Sequence, residues 1–159
     1  VSELEIGIDA LGQRIAMVGI SASTSDFSHT LMRALEARGC EVIPVRPGVT
    51  TIEGHAAYAS LLEIPGPIEG VVVTTPPRIA ERVVADCHRI GVRLVWLDPA
   101  GVLGTSDDAI AFCRTHQIDV MWGSAYLKPL ALPRGVAPPS RMRSGSWAKG
   151  TNTGFEPKR

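Results

Sequence analysis

Short, nearly uninterrupted apolar runs recur between residues 13 and 122, and the stretches between them switch to helical spacing. Ile15 to Ile20 (IAMVGI), Gly70 to Thr74 (GVVVT) and Val92 to Leu97 (VRLVWL) show little polar–apolar alternation, the pattern of a strand covered on both faces. Glu41 to Val45 (EVIPV) and Asp119 to Trp122 (DVMW) read as further strands. Pro44 lacks an N–H, so its strand must place that position where the ladder needs no donor. Between the first two runs, Leu31, Ala34, Leu35 and Arg38 follow a helical period behind Asp26 or Ser28, either of which can cap it, until Gly39 closes the helix. Pro76-Pro77 open a second helix carrying Ile79, Val83, Cys87 and Ile90 and ended by Gly91. Ser106, Asp107 and Asp108 open a third that runs to about His116.

This succession predicts an α/β fold, Rossmann-like and doubly wound, with a mostly parallel five- or six-stranded sheet and helices on both faces. Tyr58 to Leu62, bounded by Pro47-Gly48 and Pro65-Gly66-Pro67, reads as a short edge strand or a helical turn. As a strand it would give the order 3-2-1-4-5-6. The chain then reverses direction across the sheet between the strands ending near Gly19 and Thr74, and a ligand crevice is expected at that point.

The 159 residues suit one domain with a core that needs no disulfide or metal. Sixteen Lys and Arg balance sixteen Asp and Glu, which leaves no overall field for a nucleic acid or an anionic membrane. The balance is uneven along the chain. Residues 134–159 hold six basic side chains against Glu156 alone, a net +5, so residues 1–133 carry −5. Residues 1–12 read as a lead-in, 13–132 as the domain, and 133–159 as a basic Pro/Gly/Ser-rich extension with too few aliphatic residues to order itself. That extension is either a solvated tail or an arm for a partner or nucleic acid, and Trp147 and Phe155 would allow it to dock. Cys40, Cys87 and Cys113 are odd in number and outside any metal or redox spacing, which fits a reducing compartment. Val1 to Asp9 has no basic leader pattern, and no apolar run approaches ~18 residues. A soluble cytoplasmic protein is expected.

The first strand leaves into Gly19-Ile20-Ser21-Ala22-Ser23-Thr24-Ser25. Gly19 permits a tight turn, and the hydroxyls of Ser21, Ser23 and Thr24 beside a helix N-terminus suit a diphosphate. A dinucleotide fingerprint would require glycines where Ser21 and Thr24 stand. At the end of the second strand, where NAD selection uses an acid, this chain has Arg46. A guanidinium favours a phosphorylated ribose, as in NADP at the 2′ position or coenzyme A at the 3′ position. The plain alternative is a surface arginine. Thr74, Thr75 and Pro76 form a polar wall across the crevice, or serve only to start the next helix.

Four segments together resemble the small single-domain CoA-binding proteins: IAMVGIS at 15–21, RGCEVIPVRP at 38–47, GVVVTTPP at 70–77 and GVRLVWLDPAG at 91–101. The Rossmann-like fold of those proteins is similar to the CoA-binding domain of the succinyl-CoA synthetase α subunit. The resemblance covers roughly residues 13–125. It implies coenzyme A or an acyl-CoA as ligand, held by Gly19, Ser21, Ala22, Ser23, Thr24, Arg46, Pro47, Thr74, Thr75 and Pro76. Three departures stand out. Val45-Arg46-Pro47 replaces the usual Val-Asn-Pro, so the adenosine-side contact must differ or be absent. Trp96-Leu97-Asp98-Pro99-Ala100-Gly101 replaces Trp-Leu-Gln-x-Gly, and the late Cys is missing from Gly123 to Tyr126.

No catalyst is assembled from these residues. Gly-x-Ser-x-Gly and the Walker A lysine loop are both absent. His29, beside the loop, and His55, His88 and His116 lack ligand spacing, and no metal site is expected. Asp98, Asp107 and Asp108 read as an acid–base or Mg²⁺ group, or as a turn and a helix cap. Cys40 reads as a small buried apolar group. The expected function is non-catalytic binding of coenzyme A or an acyl-CoA through a phosphate-binding loop, with the thioester arm toward Asp98 to Leu103. The alternatives are an NADP-type or CoA-ligase-like enzyme component completed by a partner chain, and a ligand-free interaction module. A second copy or a partner enzyme subunit would dock at the edge strand or the apolar segment Trp122 to Leu132. Neither a membrane nor a nucleic acid is expected as a partner.

Overall fold

The computed structural model describes residues 7–23, 26–130 and 132. The expected extension at 133–159, most of the lead-in and Thr24 lie outside the described residues. Five strands form one parallel sheet: β1 (Arg14–Val18), β2 (Glu41–Val45), β5 (Gly70–Val73), β6 (Leu94–Leu97) and β7 (Asp119–Trp122), in the order β2-β1-β5-β6-β7. Three helices follow β1, β5 and β6: α1 (Phe27–Ala37), α2 (Pro77–Ile90) and α3 (Asp107–Thr115). A small antiparallel hairpin, β3 (Thr51–Ile52) and β4 (His55–Ala56), lies in the crossover from β2 to β5.

Every residue of β5 and β6 is buried, as their unbroken apolar runs require of strands packed on both faces. Alternation along the strands sorts the core into two layers. On one face Ile15, Met17, Val72 and Trp96 meet Leu31 and Leu35 of α1. On the other, Ala16, Val71 and Val95 meet Val84 and Cys87 of α2 and Cys113 of α3. Helices therefore cover both faces. The caps follow the sequence: Asp26 accepts from Ser28 N–H at the start of α1, Gly91 ends α2 in the left-handed region, and Ser106 Oγ accepts from Ala109 N–H over 3.0 Å at α3. No helix among the described residues is long and apolar enough to cross a membrane.

The sixth strand, expected as one of two readings of 58–62, is reduced to a single parallel bridge between Tyr58 and Val45. Tyr58 N–H donates to Pro44 O over 3.1 Å, and Arg46 N–H donates to Tyr58 O over 2.8 Å. Pro44 thus directs its backbone polar side to the sheet's outer edge, where its missing N–H interrupts no ladder. Ser60 then accepts from Leu62 N–H over 3.2 Å and turns the chain into a short 3-10 helix at Leu61–Glu63, which ends the pairing.

Residues 46–69 therefore cross the sheet without an α-helix. Leu61, Ile64 and Ile68 cover the core there. This irregular cover leaves a recess at the carboxyl ends of β1 and β2, beside the point where the strand order reverses. Gly70 admits the N-terminal segment closely, since a Cβ there would stand 2.5 Å from Leu11 O.

Candidate functional site

The recess is a cavity of about 390 Å³, within the usual range for small-molecule sites. Its walls come from four places: Gly19, Ile20 and Ser21 after β1; Arg46 and Pro47 after β2; Ser60 and Leu61 of the crossover; and Thr75 with α2. On α2 the lining residues are Ile79, Arg82, Val83 and Asp86, a single stripe at helical spacing.

Arg46 is the central polar group. Its Nη1 donates to Ile20 O over 2.8 Å, which ties the end of β2 to the loop leaving β1. It makes no ion pair among the described residues. Gly19 allows the loop to lie against β5: its φ is +96°, and a Cβ there would stand 2.7 Å from Thr75 Cγ2 and 2.8 Å from Thr74 Oγ1. Thr75 lines the cavity. Thr74 is used differently, because its hydroxyl donates to Val18 O over 2.9 Å and joins the ends of β1 and β5. Pro76 is the N-cap residue of α2 and stands outside the cavity wall, as do the exposed Ala22 and Ser23.

The hydroxyl-rich loop is organised inward. Ser21 N–H donates to Ser28 Oγ over 3.0 Å, and Ser23 N–H donates to Ser21 Oγ over 3.0 Å. Ser28 Oγ donates in turn to Asp26 Oδ2 over 3.1 Å. The α1 N-terminus thus carries its own carboxylate, and these loop donors are already bonded within the protein. The cationic groups facing the cavity are instead the guanidinium side chains of Arg46 and Arg82.

His29 lies beneath the loop and is 2 % exposed, so its two ring nitrogens need partners inside the protein. Nε2 donates to Ser21 O over 2.8 Å, and Nδ1 meets the Glu53 carboxylate. Arg33 holds the same carboxylate through two hydrogen bonds of 3.0 and 2.8 Å. Burial pushes the Glu53 carboxyl up, but the bonds from His29 and Arg33 outweigh it and hold it below the usual range. His55, on the same hairpin, pairs with Glu36 of α1. Its bond to Glu53 O raises its affinity for a proton against the opposing effect of burial, and the charge of Glu36 adds to the rise. The hairpin is thereby fastened to α1 at two points, and through His29 to the loop.

Other expected candidates stand outside the cavity wall. Asp98 is 5 % exposed and accepts from the N–H groups of Val102, Leu103 and Gly104 over 3.2, 3.0 and 2.9 Å, which shapes the loop after β6. Burial pushes its carboxyl up against these bonds. Asp107 and Asp108 occupy the first turn of α3. Burial raises all three thiols, Cys113 to about 11; Cys40 is half-buried rather than buried as expected, and its Sγ donates to Gly12 O at 3.7 Å. Among the described residues no group of three or more His, Cys, Asp or Glu could hold a metal ion.

Sequence reasoning missed Ser60, Arg82 and Asp86. The α2 pair had a readable signal, since Arg82 and Asp86 flank the apolar Ile79 and Val83 on the helix predicted to start at the switch point. The result is a largely apolar recess with two guanidinium groups, one carboxylate and a few hydroxyls. Such a set suits a flat apolar group that carries phosphate.

A family model described as CoA binding domain matches residues 13–127. YneT of Bacillus subtilis (strain 168) is 43% identical over 61 residues, 38% of this chain and 45% of that protein. The ADP-forming acetate–CoA ligase II subunit alpha of Pyrococcus furiosus is 27% identical over 95 residues, 59% of this chain and 21% of that one. The match spans less than half the length of either curated relative. The solved structure of a conserved hypothetical protein from Pyrococcus furiosus superposes with a TM-score of 0.63 at 25% identity, covering 70% of this chain and 93% of that one.

Proposed function

The chain belongs to the CoA binding domain family, and from that premise we propose that the cavity between β1, β2 and α2 binds coenzyme A or an acyl-CoA without performing chemistry on it. The observation that carries this reading is Arg46, a guanidinium fixed on Ile20 O at the edge of a mostly apolar recess. Apolar groups of Ile20, Pro47, Leu61 and Ile79 offer surface to a nucleoside, and the arginine offers planar, charged donors to its phosphate. Gly19, Ser21 and Thr75 complete the wall at the loop and at β5. Among the described residues that line the cavity there is no histidine, cysteine or lysine, which supports the reading of binding without chemistry.

In the same reading, residues 13–132 form the binding domain and residues 133–159 a separate basic extension, whose removal leaves affinity unchanged. The similarity to a ligase subunit alpha supports a second reading, in which this domain holds coenzyme A for a catalytic partner chain. Co-purification with a second subunit that confers ligase activity would establish that reading.

Thermal melts test the binding proposal. A ligand at about 100 times its Kd adds about 2.7 kcal/mol of stability, and a chain of this size gains roughly 2–4 °C per kcal/mol. Coenzyme A or acetyl-CoA should raise the Tm, while NAD and NADP leave it unchanged. A rise with NADP alone would replace the proposal with a nicotinamide nucleotide site. No rise with any of them at millimolar concentration would favour an interaction module.

A further inference from the structure

Arg82 and Asp86 stand one turn apart on α2, and both line the cavity. Opposite charges at this spacing often pair along a helix surface, better when the acid comes first. Here the base comes first, and the two make no ion pair among the described residues. Arg46 reaches the same cavity from the end of β2. Two guanidinium groups therefore face one recess from different elements, with a carboxylate beside one of them.

A phosphate monoester is the group that best uses such a pair. It carries close to two negative charges and three acceptor oxygens, whereas a guanidinium fork supplies only donors. A carboxylate accepts only, so Asp86 faces a donor on the ligand and repels its phosphate. We infer that Arg82 and Asp86 determine the specificity of the cavity: Arg82 joins Arg46 on the phosphorylated ribose, and Asp86 accepts from a donor of the adenosine. This rests on the reading of the cavity as a coenzyme A site and adds which end of the ligand it holds and how it distinguishes related nucleotides.

Calorimetric titration of the full chain with coenzyme A and with dephospho-CoA, which lacks the 3′-phosphate, separates the possibilities. The wild type should prefer coenzyme A by about tenfold or more, a difference of about 1.4 kcal/mol. Arg82→Ala should remove most of that preference and leave dephospho-CoA affinity within about twofold, with Arg82→Lys between. Asp86→Asn removes the acceptor for both ligands and the repulsion of the 3′-phosphate for coenzyme A alone, so it should weaken both, dephospho-CoA more, and raise the ratio. Arg82 is exposed, so an unchanged melting curve should accompany the loss. Equal wild-type affinity for the two ligands, equal loss of both in Arg82→Ala, or a gain for coenzyme A alone in Asp86→Asn would overturn this inference and leave the site as a coenzyme A cavity. If neither ligand binds the wild type, the reading of the cavity falls and the inference with it.

Discussion

Arg46 Nη1 donates to the carbonyl oxygen of Ile20 over 2.8 Å and so joins the end of β2 to the loop that leaves β1. One N–H of the guanidinium is used in this way, and Arg46 also lines the cavity. The same residue both shapes the wall and, in the proposed function, offers charge to the ligand.

Arg46→Ala should therefore weaken coenzyme A binding by roughly ten- to a hundredfold, corresponding to ~1.5–3 kcal/mol for a hydrogen bond to a charged group. Dephospho-CoA should lose less. Titration calorimetry measures both, and equal losses would remove the phosphate from Arg46.

Gly19→Ala tests the approach of the loop to β5. At φ +96° an added Cβ would lie 2.7 Å from Thr75 Cγ2 and 2.8 Å from Thr74 Oγ1. Backbone strain and overpacking together should cost about 2–4 kcal/mol and lower the Tm by several degrees. A melt identical to wild type would show that the turn does not depend on glycine.

Asp98→Ala should leave the N–H groups of Val102, Leu103 and Gly104 without their acceptor and destabilise the fold by about 2–3 kcal/mol. Asp98→Asn, which keeps one accepting oxygen and tolerates the left-handed backbone at φ +49°, should cost less. Denaturant melts of the two variants check the order, and a larger loss for Asn would contradict it.

The hairpin's attachment to α1 should depend on pH at both ends of its range. Glu53 is held below the usual carboxylate value by His29 and Arg33, so its contribution is present above that value, ~4.3, and fades as pH falls through the lower folded value. His55 is raised by Glu53 O and Glu36, so its contribution is complete below the ordinary histidine value, ~6.5, and fades as pH rises through the higher folded one. The Tm gap between wild type and His55→Gln should be wider at about pH 6 than at about pH 8.5, and that for Glu53→Gln wider at about pH 6 than at about pH 4. Gaps that do not change with pH would contradict the pairing.

The parallel core was legible because burial on both faces leaves a central strand no polar position, as in Val71-Val72-Val73. Helix ends were legible through Asp26, Gly91 and Ser106, whose backbone or side-chain chemistry acts locally. The stretch 58–62 was not, since one bridge at Tyr58 decides between a strand and a turn. Nor was the hairpin, whose strands are two residues long and whose Glu53 partners His29 and Arg33 lie on α1. Gly19, Ser21, Arg46, Pro47 and Thr75 come together at the cavity, while Thr74 and Pro76 serve local bonding and helix capping. Arg82 and Asp86 escaped because charges four apart on a helix ordinarily mark a solvated face.

A crystal structure of the full chain grown with coenzyme A tests the binding site most directly. The adenosine should occupy the recess between β1, β2 and α2, with its 3′-phosphate within hydrogen-bond distance of Arg46. Coenzyme A bound on another face, or a recess closed by Leu61 and Ile79 at saturating ligand, would contradict the site.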